Sequence, residues 1–66
     1  MYVYVKRFCV DGNLVARNLR GKLLSCLNGW VEVDLGKWGV HKFAVADVLN
    51  PFQVKRVGGK VVPLAE

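Results

Sequence analysis

Apolar and polar side chains alternate in short runs along the whole chain, and most runs end at glycine, asparagine or aspartate. A period of two with punctuated ends predicts strands joined by tight turns. Tyr2 to Val10 is the first, rich in β-branched and aromatic residues, with Tyr2, Tyr4, Lys6, Phe8 and Val10 on one side and Val3, Val5, Arg7 and Cys9 on the other. Asp11-Gly12-Asn13 supplies turn-tolerant residues and reverses the chain. Leu14 to Arg20 reads two ways. Val15, Leu19, Leu23 and Leu27 recur at helical spacing, whereas Gly21 and the β-rich surroundings favour an extended segment. The extended reading is preferred, and the helical one would give an α+β domain instead.

Asn28-Gly29, between Lys22 to Leu27 and Trp30 to Leu35, carries the clearest local signal. Asn-Gly adopts the two positive φ angles of a type I′ hairpin and thereby sets the register of both strands. Leu27 is then opposite Trp30, Cys26 opposite Val31, Ser25 opposite Glu32 and Leu24 opposite Val33. Leu24, Cys26, Val31, Val33 and Leu35 share the apolar face, with Ser25, Glu32 and Asp34 on the other. Gly36-Lys37-Trp38-Gly39 forms a compact loop, and Val40 to Ala46 is the next strand, with Phe43 and Val45 inward. Asp47-Val48-Leu49 is a candidate single helical turn, which Asn50-Pro51 stops. Phe52 to Val57 and Lys60 to Leu64 form a last hairpin around Gly58-Gly59, with Pro63 at a sheet edge. The expectation is one all-β domain over residues 1–66, a small barrel of five to six short strands with one helical turn.

The stretch Gly29-Trp30-Val31-Glu32-Val33-Asp34-Leu35, the glycine-bounded loop after it, and Phe43-Ala44-Val45-Ala46-Asp47-Val48-Leu49 leading into Phe52 resemble the SH3-like barrels. The resemblance spans about two-thirds of the chain. In size and basicity the chain is similar to small SH3-like ribosomal proteins and, less closely, to small basic archaeal chromatin proteins. These families bind nucleic acid without catalysis, so the resemblance implies a non-enzymatic RNA-binding component of a ribosome or other ribonucleoprotein. Two cysteines and fewer lysines set the chain apart from the chromatin type.

Composition sharpens the partner more than the fold. Ten Lys and Arg against five Asp and Glu give a formal charge of +5 and a pI near 9.6, which favours phosphate-bearing partners. All ten cations are candidate phosphate contacts: Lys6, Arg7, Arg17, Arg20, Lys22, Lys37, Lys42, Lys55, Arg56 and Lys60. Trp38, at a loop tip beside Lys37, is the candidate for stacking on an unpaired base, with a lid over one end of the barrel as its alternative role. Trp30 is explained by cross-strand packing on Leu27. Tyr2 and Tyr4 share a face with Lys6, as either a mixed aromatic and basic surface or core residues with Lys6 at the rim. RNA is the expected partner, with DNA the alternative nucleic acid. A protein-interaction subunit meeting an acidic partner is the competing reading.

Catalysis finds little support. His41 is the only histidine, with Asp34 and Asp47 the carboxylates nearest in sequence, and no phosphate-binding loop, dinucleotide fingerprint or metal-ligand cluster is present. No cofactor or metal is implied. Cys9 and Cys26 lie in apolar runs and are expected as buried free thiols, a disulfide between them being the alternative. No apolar stretch approaches the roughly 20 residues of a membrane span, and the N-terminal order of charge and apolar residues is wrong for a signal peptide, so a cytoplasmic protein is expected.

Overall fold

The computed structural model describes residues 1–64 and bears out the all-β expectation. β1 (Tyr2–Val10), β2 (Asn13–Leu27), β3 (Trp30–Asp34), β4 (Val40–Ala44) and β5 (Val48–Leu49) form one antiparallel sheet in the order β4-β3-β2-β1-β5. The sheet curls into a half-barrel compatible with an SH3-like fold. β6 (Val54–Val57) and β7 (Lys60–Pro63) make a separate two-stranded hairpin. The strands thus number seven, and three single 3-10 turns, Gly36–Trp38, Val45–Asp47 and Pro51–Gln53, are the only helical pieces among the described residues. No helix among them is long and apolar enough to cross a membrane.

The turns follow their chemistry. Asn28 and Gly29 sit at φ +52° and +81°, the two left-handed angles of the predicted hairpin. Nothing lies within 4 Å of where a Gly29 side chain would begin, so only backbone conformation demands glycine there. Gly21 is the opposite case: an added Cβ would meet Val33 Cγ1 at 2.5 Å and Leu35 Cδ2 at 2.8 Å, so only glycine lets β2 pass over the core. Gly21 therefore belongs to a strand, and Leu14 to Arg20 is extended within the 15-residue β2.

Two details of register and face differ from expectation. Leu27–Trp30, Cys26–Val31 and Ser25–Glu32 pair as predicted, but Val33 pairs with Leu23, because a bulge takes up one residue between Leu23 and Ser25. Leu23 packs on the core and Leu24 turns outward, 47% exposed. In β1 the buried side chains are Val3, Val5 and Phe8, so strict alternation fails, and Lys6 and Arg7 are both exposed. Between the Val5–Leu19 and Arg7–Arg17 pairs, the partner strand carries Asn18 at φ +52°, a left-handed residue that breaks the pleat. Its side-chain amide donates to the Val61 carbonyl at 3.0 Å and ties the β6–β7 hairpin to the sheet.

The core comprises Val3, Val5, Phe8, Val31, Val33 and Leu35, flanked by Leu19, Leu23, Phe43 and Val48. Phe43 faces it as expected, whereas Val45 is exposed, because β4 ends at Ala44 and the chain turns there into a 3-10 turn. The helical turn expected at Asp47-Val48-Leu49 is thus two residues earlier, and Val48–Leu49 instead pair with β1. Phe52 belongs to the third 3-10 turn rather than to the following strand. Asn50 and Gln53 cap this turn reciprocally: Asn50 Oδ1 accepts from Phe52 N and Gln53 Oε1 from Asn50 N, both at 2.9 Å. Pro63 pairs with Val54 at the end of the small hairpin. Cys9 and Cys26 are exposed free thiols, contrary to their apolar sequence context. The half-barrel encloses too few positions to bury every apolar run, and both cysteines lie outside it.

Candidate nucleic-acid interface

All ten basic side chains are exposed, as a charge balance of +5 on a small surface requires. They fall into separate settings. The first is built by β1 and β2, where the pairs Tyr2–Lys22 and Tyr4–Arg20 stand side by side. Val3 and Val5 alternate inward, so Tyr2 and Tyr4 turn to the outer face, but the cations beside them are Arg20 and Lys22 and not Lys6, which lines a different cleft. The Arg20 guanidinium lies 4.0 Å from the centroid of the Tyr2 ring. A guanidinium held over an aromatic face is restrained there, and because Arg20 is exposed its N–H groups remain available to an anion. Across β2, Lys22 pairs with Asp34 at the end of β3, and Asp34 Oδ1 accepts from Gly36 N at 2.9 Å. Tyr2, Arg20, Lys22, Asp34 and Gly36 together border an open cleft of about 370 Å³.

The second setting is Arg7 directly opposite Arg17 in the β1–β2 ladder. Like charges so placed repel, and an anion between them removes the penalty. Lys6 points elsewhere, into a cleft it lines with Asn50 and Gln53. Lys42 stands opposite Glu32 on β3 and borders a groove of about 520 Å³ with Ser25, Leu27 and Trp30, so its charge has an acidic neighbour. Lys55, Arg56 and Lys60 lie on the β6–β7 hairpin, apart from the main sheet.

Of the two roles the sequence allows Trp38, a stacking loop tip or a lid over one end of the barrel, its contacts match the lid. The Trp38 ring meets Phe8 edge-on, with centroids 5.5 Å apart, and Phe8 in turn contacts His41 and Phe43. His41 Nε2 donates to the Trp38 carbonyl at 2.8 Å, which fixes the loop on β4. Lys37 Nζ lies 5.3 Å from the indole centroid. Trp38 thus covers the end of the core beside Phe8 while keeping 36% of its surface exposed. His41 serves this bracing. Among the described residues no group of three or more His, Cys, Asp and Glu is placed to hold a metal ion.

Sequence reasoning missed Asp34 and Gly36 as parts of the cleft, since the hydrogen bond joining them depends on the loop that follows β3. It also missed the exposure of Trp30 and Leu27, which pair as predicted but remain 57% and 71% exposed, because their pair lies at the hairpin end beyond the core. No family model, curated protein or solved structure matches the chain.

Proposed function

We propose that this chain is a non-enzymatic RNA-binding module, a small component of a ribosomal or other ribonucleoprotein assembly. The observation that carries the reading is the Tyr2–Arg20 stack beside Lys22 on the outer face of β1 and β2. Single-stranded RNA is bound by pairing cations with its phosphates and aromatic or guanidinium planes with its unstacked bases, and this patch offers both within one row. The opposed Arg7 and Arg17 fit the same reading, since a phosphate relieves their repulsion. Base stacking falls to Arg20 and Tyr2, because the Trp38 ring is engaged with Phe8.

The test is the salt dependence of binding to a short oligouridylate. The logarithm of the association constant should fall linearly with the logarithm of salt concentration, and Arg20→Gln with Lys22→Gln should flatten the slope by about one unit for each phosphate no longer neutralised. An absence of binding at low salt, or an unchanged slope in the double variant, contradicts the reading.

A second reading, docking to another polypeptide, is favoured by one specific feature. Leu27 and Trp30 form an exposed apolar pair beside the groove bordered by Lys42 and Glu32. An intact RNA affinity after Trp30→Ala, together with loss of an isolated protein partner, would assign that end of the sheet to protein contact.

A further inference from the structure

Within the RNA-binding reading, on which this inference rests, the cleft between Tyr2, Arg20, Lys22, Asp34 and Gly36 has a feature that phosphate contact alone does not use. It holds a carboxylate among cations. A site for phosphate only is weakened by an acidic group, yet Asp34 is half-buried in the cleft wall and its carboxylate is oriented by the 2.9 Å bond from Gly36 N to Oδ1. A held carboxylate offers two acceptor oxygens and no donor.

From this we infer that the cleft is a guanine subsite, in which an unpaired guanine stacks on the Arg20 guanidinium and presents its Watson–Crick edge to Asp34. The chemistry selects the base. Guanine carries two adjacent donors on that edge, the ring N1–H and the exocyclic amino group, which match the two oxygens of a carboxylate. Adenine and cytosine pair one amino donor with a ring acceptor, and uracil flanks its single N–H with two carbonyls, so each brings an acceptor against Asp34. Arg20 supplies the stacking plane, because Tyr2 holds its guanidinium carbon 4.0 Å from the ring centroid while the side chain stays exposed to a base arriving from solvent. Lys22, opposite Tyr2 on one side and Asp34 on the other, is placed for the phosphate of the same nucleotide. A cleft of about 370 Å³ suits one nucleotide rather than a duplex.

The test compares fluorescently labelled oligouridylates that carry one central guanosine, inosine or adenosine, with the all-uridine strand as reference, by anisotropy at low salt. Inosine keeps N1–H and lacks the amino group. The guanosine strand should bind about tenfold more tightly than the inosine or adenosine strand, the discrimination of one bidentate contact. Asp34→Asn, which keeps an oxygen for Gly36 N, should erase that preference while leaving all-uridine binding as tight or tighter, since a negative charge is removed. Equal affinity of the unaltered protein for the three substituted strands overturns the guanine subsite and leaves RNA binding standing, a result independent of how the variant folds. A preference that survives in folded Asp34→Asn also overturns it. Failure to bind any strand, all-uridine included, removes the RNA reading and the subsite together.

Discussion

The two tryptophans mark two ends of one sheet that differ in what holds them. At the Trp38 end, the loop after β3 is locked by Asp34 on Gly36, by His41 on the Trp38 carbonyl, and by the edge contact of Trp38 with the buried Phe8. At the Trp30 end, a tight hairpin fixes the backbone, yet the cross-strand partner Leu27 is itself exposed and the indole is 57% open. Local sequence leaves the first end open and misleads at the second, since a loop tryptophan between glycines reads equally as a stacking tip or a lid, whereas a strand tryptophan opposite leucine looks packed. The difference shows that curvature, more than element type, decides exposure in so small a sheet. The half-barrel wraps its core near Phe8 and Val33, and a strand that runs past this region leaves even its apolar pairs in water.

The sharpest way to break the comparison is truncation at the braced end. Trp38→Ala removes the aromatic contact with Phe8 and uncovers that end of the core, and should cost about 2 kcal/mol. For a domain of this size that lowers the melting temperature by roughly 10 °C, read by thermal circular dichroism. If Trp38→Ala melts like the parent, Trp38 is no cap and the two ends are alike. Gly29→Val should cost about 1 kcal/mol through the positive φ alone, since no neighbour lies within reach of the new side chain. A larger loss would mean that the Trp30 end is packed after all. The smallest effect belongs to Trp30→Ala, which should shift stability by no more than about 0.5 kcal/mol. Urea unfolding midpoints of the two Trp→Ala variants, measured side by side, give the difference directly.

The turns were the legible part of this fold. Asp11-Gly12, Asn28-Gly29 and Gly58-Gly59 carry the positive φ angles their composition implies, and they placed the hairpins. Face assignment was harder. Leu23 and Leu24 are the same residue type, so hydrophobic alternation carries no mark of the bulge that sends one inward and the other out. Asn18 in the left-handed region reads in sequence as an ordinary polar strand residue, yet it lies across from the point where β1 loses its alternation and Phe8 joins the core. The cations were legible by type, and their partners were not. Arg7 opposite Arg17, Arg20 on Tyr2 and Lys42 opposite Glu32 all depend on register, and the cleft around Asp34 depends on the following turn as well.

The central claim is that the outer face of β1 and β2 binds RNA by stacking as well as by charge. Affinity of Tyr2→Ala for a single-stranded RNA and for heparin, a polyanion without bases, tests it most directly. Without its platform the Arg20 guanidinium is no longer held over a ring, so RNA affinity should drop by about 1 to 3 kcal/mol while heparin affinity stays within about a factor of two. Equal weakening toward both ligands, or none toward RNA in a folded variant, would contradict the claim.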